Sequence, residues 1–113
     1  MLNIPLMSNN VTREDVKILI EFLQNSDIFT QNKNVREFEE QWSEWLGVKH
    51  SVFVNSGAAA NYITMMAIAE KFGVGEVIVP TITWSSDISS VIIAGHTPIF
   101  VDVNFSNLAM IDE

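Results

Sequence analysis

Apolar residues in the first part of the chain recur at the spacing of an amphipathic helix. Four of them form the apolar stripe: Val16, Leu19, Ile20 and Leu23. Thr12 stands just before this stripe, and Asp15 follows Thr12 by three residues, which is the spacing of a capping box. The pattern therefore predicts an extended lead-in over residues 1–11 and a helix that begins after Thr12 and ends near residues 25–26.

A second apolar stripe predicts another helix over residues 35–46. Its members are Val35, Phe38, Trp42 and Trp45 or Leu46. The glutamates between them form a solvated face. Gly47 comes just after the last apolar residue, a position where glycine commonly ends a helix. Residues 28–34 form the loop between the two helices.

From His50 onward, strand-like and helix-like segments alternate. The predicted order is strand 50–54, helix 58–72, strand 76–80, helix 85–94 and strand 98–103. This alternation favours three parallel strands joined by right-handed crossovers. The strand Glu76–Pro80 is apolar enough to be buried on both faces. The expected fold class is α/β, with a mostly parallel sheet and flanking helices.

Such a sheet is small for an independent fold. Three parallel strands leave poorly covered edges, and residues 110–113 follow the last strand without a further helix. We therefore expect the chain to be a piece of a larger α/β domain, whose open edges favour self-association.

The composition argues against several classes of function. The net charge is −8 and the six basic residues are scattered, which argues against a nucleic-acid surface. Cysteine is absent, so disulfides, thiol nucleophiles and cysteine-ligated metals are excluded, and a cytoplasmic location is expected. The first residues do not resemble a signal peptide and no apolar run reaches about 18 residues, so no membrane span is expected.

The segment Val54–Asn61 carries the strongest indication of chemistry. A β-branched and aromatic run over residues 51–54 stops at Asn-Ser-Gly and turns directly into a helix-like segment. The first N–H groups of a helix have no internal partner, and the helix dipole favours negative charge there. We therefore predict a phosphate-binding turn at Gly57, Ala58 and Ala59, where Gly57 has no side chain to block a phosphate group. The alternative interpretation is an ordinary strand-to-helix turn.

Four other polar residues are given structural roles. Asp102 ends an apolar strand and is expected to be a hydrogen-bonding carboxylate there, and Asp87 is expected to cap a helix. His50 is expected at the start of a strand and His96 in a surface loop. Because neither histidine has an acidic partner at ligand spacing, no metal site is predicted.

Several short segments occur in an order and spacing that resemble a known family. They are Phe29-Thr30 followed by Val35, Phe38 and Glu39; Asn55-Ser56-Gly57; Glu76–Pro80; Thr83-Trp84; and Gly95–Val103. From about Ile4 to Asp112 the chain resembles the N-terminal part of the DegT-type (DegT/DnrJ/StrS) sugar aminotransferases. The resemblance implies the N-terminal part of the large domain of a fold-type I enzyme that uses pyridoxal 5′-phosphate. It divides the chain into an N-terminal helical segment, residues 1–48, and the start of the cofactor-binding domain, residues 49–113.

The resemblance also implies roles for four residues. Family members hold the cofactor phosphate with the segment after Ser-Gly, which here is Ala58 and Ala59 beside Gly57. The family usually has a hydroxyl residue where Ala58 stands, so contact there must come from backbone N–H groups. Trp84 stands where an aromatic residue stacks on the pyridine ring, a role that suits a flat indole.

No residue of this chain is assigned a catalytic role. The family's Schiff-base lysine lies further along the sequence, and none of the lysines here matches its context: Lys17, Lys33, Lys49 and Lys71. We therefore expect the 113-residue chain to be catalytically inert alone.

Three functions remain open. The first is a fragment of an aminotransferase that passes an amine from an amino-acid donor, usually glutamate, to a nucleotide-linked keto-sugar in polysaccharide biosynthesis, acting as a homodimer. The second is a fragment of a sugar 3-dehydratase of the same superfamily, in which histidine replaces the lysine. The third is a non-catalytic phosphate-binding α/β module, which the absence of a Gly-x-Gly-x-x-Gly fingerprint disfavours.

Overall fold

The computed structural model describes residues 10–111 of the chain. The elements are α1 (Arg13–Asn25), α2 (Lys33–Leu46), α3 (Gly57–Phe72), β1 (Glu76–Pro80), α4 (Ser85–Ile93) and β2 (Thr97–Val101). They form two compact units, Met1–Phe53 and Val54–Glu113, which are described separately. Most of the predicted lead-in, residues 1–9, lies outside the described residues. The functional division at residues 48 and 49 stays a prediction.

Helix α1 begins at the predicted capping box. The Asp15 N–H donates to the Thr12 hydroxyl oxygen at 3.2 Å, and the Thr12 N–H donates to the Asp15 carboxylate at 2.7 Å. Together these bonds satisfy donors that a helix start leaves without internal partners. The helix ends at Asn25, as predicted.

Helix α2 carries a row of aromatic rings. The Phe38 and Trp42 rings stack with centroids 5.9 Å apart, and the Trp42 and Trp45 centroids are 5.0 Å apart. The Phe53 ring meets the edge of Phe38 at 5.6 Å. Gly47 ends the helix in a left-handed conformation with φ 71°, as its position predicted.

The predicted strand His50–Val54 does not form. Two side chains of α2 hold this segment instead: the Ser43 hydroxyl donates to the Ser51 hydroxyl at 2.9 Å, and the Glu39 carboxylate accepts from the Phe53 N–H at 2.7 Å. A strand exists only where a neighbouring strand supplies a ladder of hydrogen bonds. Within residues 10–111, no strand pairs with this segment.

The second unit is built on a two-stranded parallel sheet. Glu76 pairs with Thr97 and Pro80 with Val101, in parallel register along the whole length of β1 and β2. The parallel direction was predicted, but the sheet has two strands rather than three. Helix α4 connects them, and the buried apolar residues lie on or near these elements: Val79, Val91, Ala94 and Val103.

Only one face of strand β1 is buried. Val79 is 5% exposed, whereas Ile78, which points to the opposite face, is 63% exposed. The expectation that Glu76–Pro80 is buried on both faces is therefore wrong for this chain. The reason is that no described residue covers the Ile78 side of the sheet.

His96 is buried, which corrects its predicted place in a surface loop. It is 6% exposed. Its Nδ1 atom accepts a hydrogen bond from the Gly75 N–H at 3.0 Å, and Nε2 lies 3.2 Å from the Met65 carbonyl oxygen. The neutral ring with its proton on Nε2 satisfies both contacts. An imidazole can be buried when both nitrogens find partners.

Candidate functional site

The start of helix α3 presents two backbone N–H groups without acceptors. Ser56 is the N-cap, and its hydroxyl oxygen accepts from the Ala59 N–H at 3.1 Å, while the Ala60 N–H donates to the Ser56 carbonyl at 3.1 Å. Among the described residues, no atom accepts from the N–H of Gly57 or Ala58. Of the three predicted phosphate-binding residues, Gly57 and Ala58 therefore have amides available, and the Ala59 amide is already engaged.

The space in front of Gly57 is open. A methyl group added at Gly57 would meet no atom of the described residues within 4 Å, and the backbone there does not have a positive φ. Neither conformation nor packing therefore requires glycine at this position. The open space beside two free amides at a helix N-terminus suits a small anionic group.

Trp84 lies at the start of helix α4. The strand β1 ends at Pro80, and four residues later Trp84 is the N-cap of α4. Trp84 is 80% exposed, so its indole is accessible to a ligand. The carboxyl ends of strands are the usual ligand side of parallel α/β sheets.

A side-chain hydrogen bond joins the starts of the two helices. The Asn61 Nδ2 atom donates to Asp87 Oδ1 at 2.7 Å, and the Thr83 hydroxyl donates to Asp87 Oδ2. Asn61 follows Gly57 by one helical turn, and Asp87 follows Trp84 by three residues. The bond therefore links the first turns of α3, which carries the free amides, and α4, which Trp84 caps.

This link is the feature that sequence reasoning missed. Asp87 was expected to cap helix α4, but its two oxygens accept from Asn61 and Thr83, and the helix has no side-chain cap. Asn61 and Asp87 are 26 residues apart, and no local spacing rule pairs such positions. The sequence offered one indication of such a contact, the acidic residue Asp87 in the first turn of the predicted helix.

Asp102 has the structural role predicted for it. Its Oδ1 atom accepts from the Val103 N–H at 2.8 Å and from the Thr81 hydroxyl at 3.4 Å. The carboxylate therefore ties the end of β2 to the segment that follows β1.

The described part of the chain has neither a cluster of metal ligands nor a helix that could span a membrane. Residues 10–111 contain no group of three or more His, Asp or Glu residues arranged to hold a metal ion. No helix among them has both the length and the apolar character needed to cross a membrane.

Comparison with known sequences decides the family. Residues 9–113 match the profile described as the DegT/DnrJ/EryC1/StrS aminotransferase family. The chain belongs to this family. The resemblance drawn from the short segments is confirmed.

Two curated relatives carry names that state an activity. The chain is 33% identical over 113 residues to a GDP-4-keto-6-deoxy-D-mannose 3-dehydratase of Yersinia pseudotuberculosis, covering 96% of the chain and 28% of that protein. It is 28% identical over 105 residues to a GDP-perosamine synthase of Vibrio cholerae, covering 93% of the chain and 28% of that protein. The chain thus spans less than a third of the length of each relative.

A solved structure matches the fold closely. The Escherichia coli GDP-4-keto-6-deoxy-D-mannose-3-dehydratase with bound hydrated pyridoxal phosphate superimposes with a TM-score of 0.82 and 28% sequence identity. The match covers 98% of this chain and 30% of that one. The predicted fold class, α/β with the parallel sheet of a fold-type I aminotransferase, is confirmed.

Proposed function

We propose that the segment from Gly57 to Asp87 is part of a pyridoxal-phosphate site in an enzyme that modifies a nucleotide-linked keto-sugar. The observation that carries the proposal is the hydrogen bond from Asn61 to Asp87, which links the start of α3, with its two free amides, to the start of α4, which Trp84 caps. The relative with bound hydrated pyridoxal phosphate supports it.

The described residues fit such a cofactor. The N–H groups of Gly57 and Ala58 would donate to the phosphate ester, since the open space at Gly57 admits it. Ala58 has no hydroxyl, so its contribution is confined to the backbone, and the Ala59 amide stays with Ser56. The Trp84 indole would cover the face of the pyridine ring. When bound, the cofactor supplies the electron sink for amino-group chemistry.

Binding can be tested with pyridoxamine 5′-phosphate. This form has no aldehyde, so it cannot react with the four exposed lysines. In a Trp42→Phe, Trp45→Phe background, Trp84 is the only tryptophan, and we expect saturable quenching of its emission. The backbone resonances of Gly57 and Ala58 should shift in the same titration. Quenching without those shifts, or shifts without quenching, would contradict the proposed site.

We favour amino transfer as the reaction of the whole enzyme. The matched aminotransferase family supports transfer of an amine, and the resemblance implies an amino-acid donor such as glutamate and a keto-sugar acceptor. The test is mass spectrometry of the product formed by an enzyme containing this chain from a GDP-linked 4-keto-6-deoxy sugar and glutamate. A product with a new amino group on the sugar, formed with release of one 2-oxoglutarate per sugar, supports amino transfer.

The 3-dehydratase is the second candidate, because two dehydratases are among the relatives that match nearly the whole chain. Its product in the same assay would lack the C3 hydroxyl group and would carry no amino group on the sugar. That outcome would overturn the aminotransferase proposal while leaving the cofactor site intact.

The 113-residue chain is proposed to be inert alone. Of its four lysines, only Lys71 lies between Gly57 and Trp84, and it stands in the last turn of α3, far from Gly57. With pyridoxal phosphate and glutamate, the chain should form 2-oxoglutarate no faster than the free cofactor does. Turnover above that background would refute inertness.

The third candidate function is a non-catalytic phosphate-binding module, and a different ligand tests it. A nucleotide-binding module would show the Gly57 and Ala58 resonance shifts with ATP, and no response of Trp84 to pyridoxamine 5′-phosphate. The opposite pattern is expected for a cofactor site.

Assembly and location complete the proposal. We propose a homodimer in the complete enzyme, acting in the cytoplasm in polysaccharide biosynthesis. The exposed Ile78 face and the exposed Trp84 support association, because large apolar groups in water favour burial. Sedimentation of the complete enzyme tests the dimer, and a monodisperse monomer at micromolar concentration would contradict it.

A further inference from the structure

The hydrogen bonds of Asp87 place this residue at the junction of three segments. We call Thr83, Asn61 and Asp87 the polar bridge. The Asp87 Oδ1 atom accepts from Asn61 Nδ2 at 2.7 Å, and Oδ2 accepts from the Thr83 hydroxyl. All three residues are partly buried. Hydrogen bonds to an ionised acceptor are stronger than neutral ones, more so when water is partly excluded.

The polar bridge also fixes the backbone around Trp84. The Asp87 N–H donates to the Trp84 carbonyl oxygen at 3.0 Å, while its carboxylate holds the preceding residue, Thr83. The indole itself is 80% exposed, and no ring stacks on it among the described residues. The backbone from which the indole projects is therefore held by two contacts of Asp87, one from its N–H group to Trp84 and one from its carboxylate to Thr83.

At its other end, the polar bridge reaches helix α3. Asn61 is one turn beyond Gly57, so a bond to Asn61 fixes the distance from Trp84 to the free amides of Gly57 and Ala58. A ligand that carries a phosphate ester on an aromatic ring can contact the amides and the indole together only if their separation matches its own length. Misplacement of either by about 1 Å weakens simultaneous binding.

We infer that Asn61, Asp87 and Thr83 are positioning residues that set the separation between the phosphate-binding amides and the Trp84 indole. The inference rests on the proposed function. It assigns the three residues no contact with the ligand. Their effect is on simultaneous binding of the ring and the phosphate, rather than on binding of phosphate alone.

The bridge allows a swap experiment that separates positioning from general stability. Asp87→Leu removes the acceptor of both Asn61 and Thr83, and Asn61→Asp leaves two carboxylates facing each other. In the double variant Asn61→Asp, Asp87→Asn, the carboxylate and the amide exchange places. A donor and an acceptor again face each other, and the amide oxygen at position 87 can still accept from Thr83.

Two probes are used on the 113-residue chain with Trp84 as its only tryptophan. Inorganic phosphate reports on the amides through the resonances of Gly57 and Ala58. Pyridoxamine 5′-phosphate reports on both contacts through those resonances and the Trp84 emission. We expect Asp87→Leu to keep phosphate binding within about twofold and to weaken pyridoxamine 5′-phosphate binding about tenfold. The double variant should bind pyridoxamine 5′-phosphate nearly as well as the parent chain.

Two results would overturn the inference. One is an unchanged response to pyridoxamine 5′-phosphate in Asp87→Leu. The other is an equal loss of affinity for both probes that the double variant shares, which marks a structural role only. If the parent chain responds to neither probe, the proposed function fails and this inference fails with it. A normal parent response beside an unaffected Asp87→Leu variant removes only the inference.

Discussion

The Nδ1 atom of His96 accepts a hydrogen bond from the backbone N–H of Gly75 at 3.0 Å. The contact joins the residue before β1 to the residue before β2, and Nε2 extends it to the Met65 carbonyl on α3 at 3.2 Å. One buried imidazole therefore connects both strands of the sheet to a helix. It explains how a residue in a short helix-to-strand turn comes to be 6% exposed.

His96→Ala should destabilise the chain by about 1–3 kcal/mol, because a buried imidazole is removed and the Gly75 N–H loses its acceptor. Urea unfolding monitored by circular dichroism measures the change. His50→Ala is the matched control, since His50 is exposed, and should change the unfolding free energy by less than about 0.5 kcal/mol. Long-range proton–nitrogen NMR should find the ring proton on Nε2. A proton on Nδ1 would contradict the geometry.

Gly57→Pro should remove one phosphate donor without disturbing helix α3. Proline is tolerated at the first helical position, and Ser56 already has the extended conformation that precedes proline, with φ −164° and ψ 160°. We expect the affinity for pyridoxamine 5′-phosphate to fall about tenfold or more, because a hydrogen bond to a charged group is lost. Titration calorimetry measures it.

Gly57→Ala is the control for that substitution. It keeps the N–H group and adds a methyl group into open space. A loss of affinity as large as that of Gly57→Pro would show that steric access, rather than the amide, is what the ligand needs.

Asp15 should titrate below its ordinary range. The Thr12 hydroxyl, and next the Thr12 N–H, donate to the Asp15 carboxylate and lower its pKa. Since the pKa is lower in the folded chain, the stabilisation is full above the unfolded pKa and is lost as pH falls through the folded pKa. Carbon NMR of the carboxyl group measures the pKa directly. Thr12→Ala should raise it, and Thr12→Ser, which keeps the hydroxyl, should not.

Gly95→Ala should destabilise the turn between α4 and β2. Gly95 has φ 87°, and an added methyl group would lie 3.3 Å from Val74 Cγ1. The left-handed backbone alone costs an alanine about 1 kcal/mol. Gly75→Ala is the control, because its φ is not in the left-handed region and its added methyl meets nothing within 4 Å. Equal midpoints of urea unfolding for the two variants would count against this explanation.

Local features were predictable from the sequence because their determinants lie within one turn or one strand. The Thr12 and Asp15 pair fixed the start of α1, and the apolar run Glu76–Pro80 was assigned its observed bounds. The turn at Gly57 was also found, since a strand-like run that stops at Asn-Ser-Gly places free helix amides at a predictable position.

The tertiary structure decided what depends on partners distant in sequence. The buried His96 accepts a hydrogen bond from Gly75, 21 positions away, and Asn61 meets Asp87 across 26 positions. The segment His50–Val54 has the composition of a strand, but it bonds to α2 side chains because no strand lies beside it among the described residues. Composition and spacing set what a segment can form. Whether a polar group or a strand edge finds its partner depends on how the chain folds back, which local sequence does not encode.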